Sequence, residues 1–183
     1  TATTDPAVAL PDAYLIVHSV PLQSSRAFLE TVRDSIDPET PLLCLSKGRE
    51  VGSCEMMSEV IPAGLGRDQP LAVLSGPTFA VEIMRGLPTA IVAASEDKTL
   101  ALSVQRLFAS SCLRVNTSND VVGVEMSGAL KNVLAIAAGS GDGLELGNNA
   151  LAAGVARGGA ESRWRARRMG GKRGALAGRG GAW

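Results

Sequence analysis

A single histidine, His18, is all the sequence offers for imidazole chemistry. With no second histidine and no carboxylates clustered near the cysteines, it presents no metal-ligand constellation and no Ser-His-Asp arrangement. His18 ends a run of apolar strand residues, so it reads as a packed, hydrogen-bonded core histidine. Cysteine is scarce too: Cys44, Cys54 and Cys112 are odd in number, widely spaced and without a CxxC pair. That argues against a zinc knuckle or a disulfide framework and leaves reduced structural thiols. No apolar run reaches the roughly 18 to 20 uncharged residues of a membrane helix, and no basic-then-apolar leader opens the chain. A soluble, intracellular protein with no membrane partner is therefore expected. An initiator Met and internal repeats are also missing, and the opening TATTDPAVALPDAYLIV reads as the interior of a longer chain.

Acidic residues are nearly absent from one region only. Residues 1 to 156 hold ten Lys and Arg against 17 Asp and Glu, whereas 157 to 183 hold eight against one, so the formal net charge of zero conceals a split of minus seven and plus seven. The basic tail has only Trp164 and Trp183 to stack on bases, so a solvated tail is expected and no nucleic-acid partner. What remains is the balance of a folded protein: 183 residues, 45% apolar and 20% charged, enough for one core or for a nucleotide-domain fragment plus part of a second domain.

Five short apolar runs bounded by turn residues predict strands at 13 to 20, 41 to 46, 70 to 75, 88 to 95 and 112 to 117. Between them, apolar residues near i, i+3, i+4 and i+7 predict helices over 24 to 36, 54 to 64, 79 to 86 and 97 to 110. Strands that are apolar nearly throughout and alternate with helices imply an α/β fold with an open, mostly parallel sheet covered on both faces. Its ligand site is expected beyond the C-terminal ends of the strands. After Thr117 the pattern changes to consecutive helices: one from Asn119 to about Gly139, capped by Ser118 or Asn119, then a loop over 141 to 149, then a second helix interrupted by glycines. This divides the chain into an incomplete dinucleotide-binding, Rossmann-like domain at 1 to 117 and the beginning of a helical substrate domain at 118 to 183, with an aberrant Gly/Arg-rich tail from about 160.

Three segments carry chemistry. In LSKG, Lys47 directly follows a buried strand, where its ammonium can hold a phosphate or polarise a carbonyl, or simply sit at the surface. In LSGPTFAVE, Gly76 admits a close backbone approach, Pro77 stiffens the turn and Thr78 can offer a hydroxyl, with helix N–H groups following. In GALKNVLAIAAG a lone cation, Lys131, shares a helix face with Val124, Gly128 and Ala135. Desolvated there beside Lys47 it would have its pKa lowered and could exchange a proton near neutral pH; otherwise its stem covers apolar surface and its charge reaches water.

In this order VHSVPLQ, LSKG, LSGPTFAVE, GLPTAIVAAS, NDVVGVEMSGALKNVLAIAAG and GLELGNNA closely resemble NAD-dependent glycerol-3-phosphate dehydrogenase, and more particularly its bacterial and plastid type. The resemblance covers about residues 2 to 161, and GALKN followed by DGLxLGNN is specific. It implies reversible hydride transfer between dihydroxyacetone phosphate with NAD(P)H and sn-glycerol 3-phosphate with NAD(P)+, in the supply of glycerolipid precursors. By position, Lys131 matches the family's proton acceptor and Lys47 the lysine that touches cofactor and substrate. Gly76 and Thr78 match substrate-contacting positions, Ala80 matches a cofactor-contacting one, and Asn132 would orient substrate oxygens. The active site would then be the cleft between domains, no metal is implied, and the intact family is commonly dimeric.

The resemblance also shows what the chain departs from. The family's N-terminal GxGxxG unit, which cradles the pyrophosphate and lies in the part that selects NAD or NADP, is expected upstream. Its later Asp and Ser-Arg-Asn substrate residues are expected downstream. Ser162, Arg165 and Arg168 stand where an apolar helix face belongs. The location implied is cytoplasmic, or plastid stroma if a transit peptide precedes. Two rival readings are kept: a non-catalytic fragment that associates through an exposed sheet edge, and a hydroxy-acid dehydrogenase that would use a carboxylate in place of a phosphate.

Overall fold

The computed structural model describes residues 2–172. After a short helix α1 (Pro6–Ala9), five strands alternate with helices: β1 (Ile16–His18), α2 (Leu22–Val32), β2 (Leu42–Cys44), α3 (Met57–Leu65), β3 (Leu71–Ser75), α4 (Ala80–Met84), β4 (Thr89–Ala94), α5 (Lys98–Phe108) and β5 (Leu113–Ser118). The strands form one sheet in the order β1-β2-β3-β4-β5. Two long helices follow, α6 (Val121–Gly143) and α7 (Asn148–Arg168).

Strands with apolar residues at every position must bury both faces, and β2 and β3 do; the edge strands β1 and β5 leave Val17 and Arg114 exposed, so the expected cover on both faces holds only for the centre of the sheet. From β2 and β3, Leu42, Cys44 and Val73 point to a core formed with Leu29 and Val32 of α2 and Met57, Val60 and Ile61 of α3. Their neighbours Leu43, Ala72 and Leu74 point the other way, to Leu100 and Val104 of α5, with Ile91, Ala93 and Val115. On the α2/α3 side, Val92 and Ala94 of β4 meet Val124 of α6, so the first half of α6 is a core helix laid beside α3.

Three of the four strand pairings are parallel, and β3 with β4 is antiparallel. The exception has a local cause. The β3–β4 connection contains only the five-residue α4, which is exposed and covers neither face, so the chain turns back beside β3 rather than crossing over.

The N-cap of α6 is Asp120, not the expected Ser118 or Asn119: its carboxylate accepts from Gly123 N–H at 2.9 Å, while Ser118 Oγ accepts from Asp120 N–H. The helix runs on to Gly143, so only Leu144 to Gly147 remain as loop. The glycines expected to interrupt α7 do not break it. Gly158 sits against Leu134 of α6, where a larger residue would collide. Of the residues expected on an unsuitable face, Ser162 is buried while Arg165 and Arg168 are exposed, and Arg168 lies over the Trp164 ring. Residues 173–183, with Trp183, lie outside the described residues. Among the described residues one helix, α6, is long and apolar enough to cross a membrane by length and composition, at mean hydropathy 1.4. Its window includes charged residues, and its N-terminal half is packed on the sheet and α3.

Candidate active site at the strand ends

The C-terminal ends of β2 and β3 lie side by side, and the turn after β3 shapes what meets there. Gly76 has φ +141, and a Cβ on it would come within 3.0 Å of Ala90 O and Ile91 Cα in β4, so only glycine fits. The turn is latched by Thr89, whose hydroxyl donates to Pro77 O at 2.9 Å. The carbonyl of Gly76 and the hydroxyl of Thr78 thereby face back to β2. Lys47 Nζ donates to both, each at 2.9 Å.

From the other side α6 closes on the same point at Gly128. A Cβ there would stand 2.8 Å from Ser75 Oγ and 3.4 Å from Lys47 Cγ. The missing side chain is what lets the helix backbone reach the strand ends. Lys131, three residues further along α6, is half-buried. Burial first, and then the positive charge of Lys131, lower the Lys47 ammonium from its ordinary value. Two cations are thus held together with no carboxylate paired to either among the described residues. Such a pair attracts an anion or a developing alkoxide.

A cleft of about 300 Å³ opens beside Lys47, walled by Ser19, Val20, Pro21 and Leu22 after β1 and by Leu45 and Ser46 after β2. It is held in shape by Ser46 Oγ, which donates to Val20 O at 2.7 Å. VHSVPLQ served the sequence reading only as part of a resemblance; its position after a strand is the signal that would have made Ser19 to Leu22 candidate wall residues.

The loop leaving Lys47 is pinned to α2. Arg26 of α2 donates to Glu50 and Glu55 at the loop's two ends, and Gln23 bonds Val51 N–H and Arg49 O. Arg26 and Ser53 hold the Glu50 carboxyl below its usual range. These partners are 24 to 29 residues apart, beyond any local pattern.

The predicted site residues divide accordingly. Lys47, Gly76 and Thr78 are in direct contact, and Lys131 is within electrostatic reach. Asn132 and Ala80 are exposed and make no side-chain hydrogen bond to that cluster among the described residues. Thr78 precedes only a five-residue helix, and its hydroxyl is engaged by Lys47. His18 is buried against Ser25 and belongs to the core. Burial pushes the Cys44 thiol up to about 12, so it stays protonated. All three cysteines are free, and no group of three or more potential metal ligands occurs among the described residues.

Residues 1–101 match the family described as the NAD-dependent glycerol-3-phosphate dehydrogenase N-terminus, and residues 120–182 match its C-terminus. The chain is 56% identical over 172 residues to the chloroplastic glycerol-3-phosphate dehydrogenase [NAD(+)] 2 of Arabidopsis thaliana, covering 93% of this chain and 41% of that one. It is 45% identical to the glycerol-3-phosphate dehydrogenase [NAD(P)+] of Oleidesulfovibrio alaskensis, covering 87% of this chain and 49% of that one. The crystal structure of the glycerol-3-phosphate dehydrogenase from Coxiella burnetii superposes with TM-score 0.86 at 35% identity, over 97% of this chain and 55% of that one. The chain therefore spans about half the length of the curated relatives it matches.

Proposed function

The chain belongs to the NAD-dependent glycerol-3-phosphate dehydrogenase family, and on that premise we propose that the two-lysine site is the catalytic centre of a reversible NAD(P)-dependent conversion between dihydroxyacetone phosphate and sn-glycerol 3-phosphate. The single observation that carries this reading is the meeting of Lys47, held by Gly76 and Thr78, with the α6 backbone at Gly128 and the charge of Lys131 one turn on.

In the direction of oxidation Lys131 takes the proton of the secondary hydroxyl. Lys47, fixed by two hydrogen bonds, presents positive charge to the substrate oxygens and to the cofactor edge, while Gly76 and Thr78 form the substrate wall. Asn132, exposed at the next position of α6, orients substrate oxygens, and Ala80 at the start of α4 borders the cofactor. NAD or NADP, when bound, accepts or returns the hydride. The cleft walled by Ser19 to Leu22 and Lys47 fits the cofactor in kind: it lies at strand C-termini and combines apolar side chains with two serines and one cation.

We take residues 1–117 as the dinucleotide-binding part and 118–183 as the start of the substrate domain. The full-length protein is read as a homodimer of the cytoplasm or the plastid stroma, without membrane or nucleic-acid partners. The test mixes the full-length protein, and separately this chain, with NADH and dihydroxyacetone phosphate and follows nicotinamide absorbance. Turnover by the full-length protein is expected. Neither turnover nor NADH binding by it would overturn the reading. Turnover by the full-length protein but not by this chain would place the missing half of the site outside these residues.

A further inference from the structure

Glu125 is the buried charged group to which the chemistry above assigns no task. It is 6% exposed in an otherwise apolar stretch of α6, one turn before Gly128 and two before Lys131. No cation is paired with it among the described residues. Its partner is Ser58 in the first turn of α3: the Ser58 N–H donates to one carboxylate oxygen at 3.0 Å and Ser58 Oγ donates to the other at 2.5 Å. The Ser58 N–H is one of the groups that a helix cannot satisfy internally. Glu59 of α3 serves the Met56 N–H, and Glu125 serves the Ser58 N–H from a different helix. The charges and titratable groups that face it are Glu59 and the Cys44 thiol.

The position of this contact matters. The first turn of α3 ends the loop that leaves Lys47, and that loop is pinned to α2 at Glu50 and Glu55. Both ends of the segment from Lys47 to Ser58 are therefore fixed to the sheet half. Glu125 ties α6 to one end of it, and one turn later Gly128 touches Ser75 and Lys47 at the other. Two contacts one turn apart on a rigid helix determine how deep it lies and how it is rotated.

We propose that Glu125 is a positioning residue for the two-lysine site: by gripping the first turn of α3 it sets the rotation of α6, and with it the separation of Lys131 from Lys47. This rests on reading the two lysines as a reactive pair. Glu125 itself touches no reacting atom.

The test reads the geometry without turnover. Side-chain NMR titration of Lys47 is carried out on the 183-residue chain as wild type, Glu125→Ala, Lys131→Met and the double variant, with far-UV CD confirming that each is folded. Lys131→Met raises the Lys47 pKa because a like charge is removed. Glu125→Ala is expected to raise it too, by roughly half a pH unit. The sign is diagnostic, since deleting a carboxylate would by itself lower an ammonium's pKa. In the Lys131→Met background Glu125→Ala is expected to add no upward shift. If Glu125→Ala does not fold, Glu125→Gln and Ser58→Ala are used, each keeping part of the contact and giving a smaller shift of the same sign. An unchanged Lys47 titration in the folded variants overturns the proposal, as does a rise that persists in full without Lys131. Failure of the hydride-transfer reading would be seen separately, in the absorbance assay.

Discussion

In β2, Leu42, Leu43 and Cys44 are all fully buried, whereas on the second half of α6 Val133 and Ile136 are 62% and 70% exposed. Leu144, Leu146 and Val155 beyond them are exposed as well. The sheet half closes most of its own core and borrows the first half of α6 to cover β4, while among the described residues the α6–α7 hairpin has core partners only along the first half of α6 and the last turns of α7. Lys47 and Lys131 stand on either side of that change. Lys47 is fixed by two hydrogen bonds on the packed side, and Lys131 occupies the position at which α6 passes from buried to exposed. Rigid presentation of one cation and a freer second one suit a site in which the first positions substrate and the second moves a proton.

The largest effect separates the two lysines by role. In the full-length protein Lys131→Met is expected to lower turnover by about 10² to 10⁴ while sparing cofactor binding. Lys47→Met is expected to raise KM for both substrate and cofactor. Steady-state kinetics with NADH titrations check both, and near-normal turnover of Lys131→Met would refute its assignment.

Next comes the contrast in packing. Leu43→Ala, at 0% exposure between two layers, is expected to cost about 2 to 5 kcal/mol. Ile136→Ala on the hairpin should stay within about 0.5 kcal/mol. Urea denaturation of the two variants measures this, and equal losses would mean that the hairpin packs as the sheet does. Between the regions lies Gly128. Alanine is intrinsically the better helix former by about 1 kcal/mol, so a net loss of about 1 kcal/mol in Gly128→Ala would report the close approach to Ser75 and Lys47. A gain in stability would show that α6 can lift away without cost.

The same contrast sets what could be read from sequence. The central strands were legible to within a few residues because burial on both faces demands apolar residues at every position, as Leu42 to Cys44 show. The opposite direction of β4 was not, because it depends on how little chain α4 contains. That Lys47, Gly76 and Thr78 meet at the sheet edge could be read from sequence because strand-end position is a local property. Glu125 with Ser58 and Arg26 with Glu50 and Glu55 were missed because those pairs are 24 to 67 residues apart. An acidic residue inside the apolar run before Lys131 was the one available hint. The continuity of α7 escaped for a related reason: glycine weakens an isolated helix, but Gly158 is stabilised by contact with Leu134.

The smallest effect lies wholly in the sheet half. His18 is 4% exposed, with Nε2 2.9 Å from Ser25 Oγ, and burial lowers its pKa below 6.5. As pH falls through 6.5 the unfolded chain therefore binds a proton before the folded one does. Stability should decline from 6.5 down to the lower folded value and then stop depending on His18. Glu125 acts in the opposite sense: burial raises its pKa above 4.5, so acidification relieves a buried charge between 4.5 and its folded value. The difference between wild type and His18→Gln isolates the first contribution. Urea midpoints measured from about pH 7.5 to about pH 5 should fall more steeply for wild type than for His18→Gln. Ile136→Ala should keep the wild-type slope, since the hairpin contains no histidine. Parallel slopes for wild type and His18→Gln would show that His18 gains its proton without leaving the core.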